Sequence, residues 1–257
     1  MLAPQRQAAI VEKVRVDGAV RVSDLVAEFN VSDMTIRRDL EILAERKLVA
    51  KVHGGATQAR SGVDEEPGFT IKSVRRKEAK HAIARAAAGF VQPGESIALS
   101  AGTTTWVLAR HLTGVADVTV VTNSIRVAEV FHQHDRDDQK IILTGGTRTP
   151  SEALVGPIAD NCLDSLNVDT LFLGVHGIST KRGFTTPNIE ESETNKALIR
   201  AARRVIVVAD STKWQTVGTR AIAPVTRADV LVTDTDLPEP AKRALRDHVG
   251  RLVIADT

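Results

Sequence analysis

Asn30-Val31-Ser32-Asp33-Met34-Thr35-Ile36-Arg37-Arg38-Asp39-Leu40 reads as the turn and second helix of a helix-turn-helix. Ser32 suits an N-cap, because its hydroxyl oxygen can accept from a first-turn amide. Asp33 places negative charge at the positive end of the helix dipole. Ile36, Leu40 and Leu43 recur at i, i+4 and i+7 and form one apolar stripe. At about 100° per residue, Met34 and Arg38 fall opposite that stripe, with Thr35 and Arg37 on its flanks. The outward residues near the N-terminus are therefore types that reach phosphates and base edges. Taken alone, such a stretch reads equally as a surface helix with two solvated arginines; its neighbours separate the two readings.

Upstream, a helix is expected from about Gln5 to Asp17, ended by Gly18. Val20-Arg21-Val22 is a short extended piece. Ser23 is expected to cap the next helix, with Leu25, Val26 and Phe29 inward. Downstream, the recognition helix runs to Lys47, Leu48 to Val52 alternates like a strand, and His53-Gly54-Gly55-Ala56 punctuates it. Three helices and a short hairpin make a winged helix-turn-helix, with Lys51 and His53 on the wing beside the sugar-phosphate backbone.

The ordered set Val31-Ser32-x-x-Thr35-Ile36-Arg37-Arg38-Asp39-Leu40-x-x-Leu43, then Leu48 and Lys51-Val52-His53-Gly54-Gly55-Ala56, resembles the DNA-binding domain of DeoR-family, GlpR-like transcriptional repressors. The resemblance implies that Ser32, Met34, Thr35, Arg37, Arg38, Lys51 and His53 meet double-stranded operator DNA. One departure is Lys47, where the family usually has Gly.

The residues up to Arg60 carry 10 Lys and Arg against 8 Asp and Glu, and the remainder carries 24 of each. All the excess positive charge thus lies with the expected DNA-binding part. It is small, so oligomerisation is expected to help achieve tight binding. A single cysteine, Cys162, excludes an internal disulfide framework. Met1 to Ile10 has no apolar leader pattern and no run approaches a membrane span, so a soluble cytoplasmic protein without membrane attachment is expected.

Residues 1–57 are assigned to the winged domain and 58–72, rich in Gly, Ser, Glu and Pro, to a linker. Residues 73–257 form a second domain in which strands alternate with helices. That alternation predicts an α/β fold with a mostly parallel sheet covered on both faces. Ligands bind beyond the carboxyl ends of such strands. Ser100, Gly102, Thr103 and Thr104 follow one strand and open a helix, a natural anion cradle. Thr122, Asn123 and Ser124 follow the next, and Gly145-Gly146 permits close backbone approach after a third. Asp210 and Lys213 add one charge of each sign at a fourth: Lys213 suits a phosphate, and Asp210 suits sugar hydroxyls. Each turn alone is compatible with an ordinary capped loop; four in one sheet point to a site for a phosphorylated polyol.

Ser100-Ala101-Gly102-Thr103-Thr104, Thr122-Asn123-Ser124, Gly145-Gly146, Gly174-Val175-His176-Gly177-Ile178, Glu191 and Asp210-x-x-Lys213 resemble the DeoR C-terminal sensor domain. That domain is similar in fold to ribose-5-phosphate isomerase and coenzyme A transferases. The resemblance implies a sugar-phosphate inducer bound by these residues, with His176 and Glu191 added to the set, and a homo-oligomer, dimer or tetramer. His176 is open to ligand contact or to a structural hydrogen bond. Ser100 stands where many members carry Asp, which weakens any case for isomerase chemistry, since that needs a positioned base.

No catalytic residue, cofactor or metal is assigned. His132-x-His134-Asp135-x-Asp137-Asp138 reads as a polar loop, because histidines two apart on a helix do not face the same way. Cys162, with Ile158 and Leu166, is expected to be buried filler. Lys181-Arg182-Gly183-Phe184 reads as a solvated turn, and Arg203-Arg204 suits a helix C-terminus. The functional expectation is a repressor of carbohydrate-metabolism genes relieved by a phosphorylated sugar. Its rivals are an isomerase or acyl transferase using Asp210, Glu191 and Lys213, and a plain oligomerisation platform.

Overall fold

A side-chain cap and one apolar stripe organise the N-terminal unit. In the computed structural model, which describes residues 2–46, 48–52, 54–58, 68–134 and 136–256, the chain divides into two compact units, 1–62 and 63–257. The first contains α1 (Ala3–Asp17), β1 (Ala19–Arg21), α2 (Val22–Phe29), α3 (Asp33–Glu45), β2 (Val49–Val52) and β3 (Gly55–Gln58). Ser32 Oγ accepts from the Thr35 amide at 3.2 Å and starts α3. Ile36, Leu40 and Leu43 then bury their side chains against Ile10, Val14 and Leu25. Burying such side chains is worth about 1.5–3 kcal/mol each. Gly18 (φ 77°) ends α1 and Asn30 (φ 51°) ends α2, both at positive φ, Asn30 in the left-handed helical conformation.

The strands pair antiparallel in the order β1-β3-β2, so the wing is a three-stranded sheet rather than a lone hairpin. At Gly55, which pairs with Arg21, an added Cβ would lie 2.0 Å from the Val20 carbonyl oxygen, so only glycine fits this crossing. Ser23 is not a cap. Arg21 stands at that position with no side-chain bond, and Ser23 lies inside α2 with its hydroxyl on Asp24. Lys47 and His53 lie outside the described residues, as do most of the expected linker (59–67) and Asp135.

The second unit begins with α4 (Phe69–Val74), so the end of the expected linker is helical. After α5 (Lys77–Ala88) the chain alternates: β4 (Ser96–Leu99), α6 (Thr103–Leu112), β5 (Thr119–Thr122), α7 (Ile125–His132) and β6 (Lys140–Leu143). A small hairpin, β7 (Thr147–Arg148) and β8 (Leu154–Val155), precedes α8 (Pro157–Asp164) and β9 (Val168–Gly174). Then come β10 (Gly177–Ser179), β11 (Gly183–Thr186), α9 (Ile189–Ala201), β12 (Ala202–Val208) and β13 (Arg220–Ala223). The chain ends with β14 (Val230–Asp234), α10 (Glu239–Arg246) and β15 (Leu252–Ala255).

Seven of these strands form one parallel sheet in the order β15-β14-β12-β9-β4-β5-β6. Apolar clusters cover both faces, which is why the strands read as nearly unbroken runs of Val, Ile and Leu. The order reverses between β4 and β9, and a crevice opens at such a switch point beyond the strand ends. A second, antiparallel sheet, β10-β11-β13, extends from the end of β9. It corrects the expectation at Lys181–Phe184: Gly183 and Phe184 begin β11, and Phe184 is 1% exposed in the core. The expectation for α8 also fails. Ile158 is 68% exposed and Cys162 only half-buried, so that helix turns this face outward.

Candidate DNA-reading helix and effector site

The cap at Ser32 and the buried stripe together orient α3, and its opposite face is open. Met34 is 80% exposed, Arg37 and Arg38 are exposed, and Thr35 is half-buried with its hydroxyl 2.8 Å from Ser32 Oγ. The guanidinium of Arg37 is engaged by Asp33 one turn back, and this holds Arg37 above its ordinary pKa. Lys51, on β2, pairs with Glu41 of α3 at 2.8 Å, which ties the wing to the recognition helix and lowers the Glu41 pKa. A thymine methyl suits Met34, and a guanine edge or phosphate suits Arg38.

One residue of the opening motif has a role the sequence did not announce. Asp39 is buried and accepts from Arg6 Nε at 2.6 Å and Gln7 Nε2 at 2.8 Å. This pins α1 across α3 by a charge-assisted bond away from water. Its polar type within a buried stripe was the available signal.

In the second unit, the residues chosen from the strand ends lie at the carboxyl edge of the sheet, on both sides of the switch point. Ser100, fully buried, accepts from the Gly174 amide at 2.9 Å and so bridges β4 to β9 where the order reverses. Gly102 precedes α6, and Thr103 and Thr104 form its first turn, three residues earlier than the expected start at Trp106. Amides of such a turn have no intrahelical partner and favour an anion.

The next strand end is largely committed to the fold. Thr122 donates to the Leu99 carbonyl at 2.7 Å and accepts from the Ser124 amide at 3.0 Å. Asn123 accepts from the Ala101 amide at 2.9 Å and donates to the Leu154 carbonyl at 3.1 Å. Ser124 caps α7 by accepting from Val127. Asn123 therefore shapes the loop that opens α6 and fastens the β7-β8 hairpin beside it. Gly145 and Gly146 have φ of 75° and 117°. A Cβ at Gly146 would sit 2.5 Å from the Val155 carbonyl oxygen, so its close approach is to this chain's own hairpin. Glu191, in the first turn of α9, accepts from Thr149 Oγ1 at 2.7 Å and from Ser151 Oγ, anchoring the hairpin's far end. The His176 amide donates to the Thr185 carbonyl at 3.1 Å, in line with the second sheet.

Beyond β12, Asp210 is buried and caps a short 3-10 turn, Ser211–Lys213, by accepting from the Thr212 amide at 3.1 Å and from the Thr212 hydroxyl. Three residues the sequence reading missed surround it. Asp234, fully buried at the end of β14, accepts from the Ser211 amide (2.7 Å), the Ser211 hydroxyl (2.8 Å) and Arg76 (3.0 Å). Arg76, in a left-handed conformation (φ 52°) just before α5, also pairs with Asp236 at 2.6 Å. Lys80, one turn further on, is 4% exposed and donates to the Arg75 carbonyl at 2.7 Å and to the Lys72 carbonyl. Burial pulls the Lys80 pKa down to about 8; Asp210 opposes that shift, while Lys213, Lys72 and Arg75 reinforce it. The available signal was a strand-end Asp and a basic pair one helical turn apart.

A cavity of about 560 Å³ lies elsewhere, between α4, α6 and α7, lined by Phe69, Trp106, Arg110, Arg126, Glu129 and His134 among others. None of the chosen strand-end residues lines it. Trp106 packs edge-on to Phe69 with Arg110 over its face. In the polar loop, His134 bonds to the Val130 carbonyl and Arg136 pairs with Asp138, holding that carboxylate down at about 2.

A model of the DeoR-like helix-turn-helix domain matches residues 6–61, and a model of the DeoR C terminal sensor domain matches 75–235. Over 256 residues the chain is 37% identical to the uncharacterized HTH-type transcriptional regulator YgbI of Escherichia coli K12, covering 99% of both proteins. It is 33% identical over 244 residues to the putative aga operon transcriptional repressor of Escherichia coli O157:H7, covering 94% of this chain and 90% of the other. It is 31% identical over 245 residues to the glycerol-3-phosphate regulon repressor of Escherichia coli K12, covering 95% and 96%. Solved structures that align include ribose 5 phosphate isomerase A from Neisseria gonorrhoeae, at 16% identity and a TM-score of 0.40. That alignment covers 53% of each chain, so this protein spans about half the isomerase's length. Another is the translation initiation factor eIF-2B of Pyrococcus horikoshii OT3, at 15% identity, a TM-score of 0.45, and 90% and 82% coverage. These relatives, matched over 90% or more of their length, are named as regulators and repressors rather than enzymes. With both family models matching in order along one chain, the protein belongs to the DeoR family of transcriptional repressors, a helix-turn-helix DNA-binding unit followed by a small-molecule sensor unit.

Proposed function

We propose that the sensor unit binds a phosphorylated sugar at the carboxyl edge of its parallel sheet, and that binding alters operator affinity to relieve repression of carbohydrate genes. The observation that carries this reading is the convergence of anion-suited groups around a switch point. The first turn of α6 lies on one side, and Lys213 with buried Asp210 beyond β12 lies on the other. The phosphate pairs with Lys213 and the α6 amides, and the hydroxyls pair with Asp210. Arg37, Arg38 and Thr35 enter the major groove, with Met34 beside them, while Lys51 on the wing meets the backbone. A homodimer or tetramer meets half-sites about one helical turn apart, or a multiple of it. The effector must favour one of two states that differ in DNA affinity, because equal affinity for both would shift nothing.

The test is anisotropy of labelled DNA from upstream of the protein's own coding region, at fixed salt, with sugar phosphates and their unphosphorylated sugars added to the complex. Arg38→Ala is expected to cost about 1–3 kcal/mol of specific DNA binding and to leave effector binding unchanged. Lys213→Ala is expected to bind DNA normally and to ignore the phosphate. Normal induction of Lys213→Ala would displace the site, and unchanged operator affinity of Arg38→Ala would displace the reading helix.

A further inference from the structure

Lys80 is the one buried lysine of α5, and its ammonium spans two parts of the sensor unit. On one side it donates to the carbonyls of Lys72 and Arg75, at the C-terminal end of α4. On the other, α5 packs against β14, and one turn before Lys80 the Arg76 guanidinium donates to Asp234 at 3.0 Å, a carboxylate that also accepts from the Ser211 amide of the turn carrying Asp210 and Lys213; the charges of Asp210 and Lys213 act on Lys80 as well. Helix α4 follows the stretch through which the chain arrives from the DNA-binding unit. It is only six residues long, so Lys80 holds a sizeable share of its C-terminal carbonyls.

We propose that Lys80 is both an effector-binding residue and the catch on α4: an anion at the strand ends draws its ammonium from the Lys72 and Arg75 carbonyls and frees that helix. This rests on the strand-end site proposed above and adds how its occupancy leaves the site. An ammonium carries three donors, and a dianionic phosphate placed between Lys80 and Lys213 turns their mutual repulsion into shared attraction. The carbonyls offer only partial charges, so they lose the competition once a full anion arrives. The charged groups that face Lys80 are Lys72 and Arg75 near α4 and Asp210 and Lys213 after β12. Arg76, on its own element, is paired with Asp234 and Asp236.

The experiment uses the full chain and inorganic phosphate as probe, against chloride at matched ionic strength. Calorimetry measures affinity, and hydrogen exchange follows residues 69–75 and 210–213. In the wild type, phosphate is expected to protect 210–213 and to speed exchange in 69–75 several-fold. In Lys80→Met, 69–75 should exchange fast without phosphate, and phosphate affinity should fall at least tenfold. Wild-type affinity should also fall above about pH 8, where Lys80 loses its proton while phosphate stays dianionic. That arm stands even if Lys80→Met fails to fold.

Fast exchange in 69–75 of Lys80→Met with unchanged phosphate affinity would make Lys80 a structural clamp and overturn the inference, leaving the strand-end site intact. So would phosphate binding at 210–213 in the wild type with no change in 69–75, or an affinity flat to pH 9.5. No phosphate protection at 210–213 in the wild type would instead sink the strand-end site, and this inference with it.

Discussion

The two units keep their candidate residues in opposite states. On α3, Met34, Arg37 and Arg38 stand in solvent, and the helix needs only its cap and its buried stripe to present them. At the sheet edge, Ser100, Thr122, Asn123 and Ser124 are buried and already bonded to other parts of the chain. A DNA-reading surface gains its partners from outside, so its groups wait exposed. A small-ligand site must be held in shape before the ligand comes, so most of its polar residues serve the shape and few remain for the ligand. In the proposed site, Lys213, Asp210, Lys80 and the first turn of α6 are the groups assigned to the ligand, on a frame built by Asn123, Thr122 and Glu191.

The sharpest way to break this contrast is Asp39→Ala. If the DNA-binding unit also depends on a buried polar device, removing that carboxylate breaks the buried pair with Arg6 and the Gln7 bond that pin α1 to α3, and costs about 3–5 kcal/mol. Hydrogen exchange is expected to rise throughout residues 3–58 and to stay unchanged in the sensor unit. Exchange that rises only at the start of α1 would show that the apolar stripe suffices.

Asn123→Ala is next in size. It leaves the Ala101 amide and the Leu154 carbonyl without their partner, at about 1–3 kcal/mol for each buried group. A lower urea midpoint of the sensor unit is expected, with effector affinity falling only as the α6 loop loosens. A loss of effector affinity at unchanged stability would move Asn123 from the frame to the ligand.

Lys51→Ala has the smallest expected effect. The Glu41 pair is exposed and screened by solvent, so stability should scarcely change. DNA affinity should weaken evenly across sequences, and the slope of log affinity against log salt should fall by about 1. A change confined to one operator position would put Lys51 among the base-reading residues.

How far the sequence could be read followed how local each element was. Strands Ser96–Leu99 and Lys140–Leu143 and helix Ile125–His132 were located to the residue, because each is an uninterrupted periodic run between turn residues. The second sheet was missed, since its strands are three or four residues long and β11 pairs with β13 more than thirty residues away. Lys181–Phe184 therefore passed for a solvated turn. Lys80 was not singled out, because a lysine in a basic amphipathic helix is normally solvated. Only the packing of α5 against the strand ends places it beside Asp210.

By itself the sequence determined what depends on neighbours within a turn or two. That covers the cap at Ser32, the stripe of α3, the outward arginines, the alternation of strands and helices, and the family the motifs belong to. Tertiary structure decided what depends on distant partners: that the sheet order reverses between Ser100 and Gly174, that Asp39 reaches back to Arg6, and that Asn123 is framework. It also decided that Lys80 lies buried between α4 and the charges beyond β12. The reason is the range of the forces. Periodicity and capping act along the backbone, whereas the fate of a polar side chain is set by which groups the fold brings within 3 Å of it once water is gone.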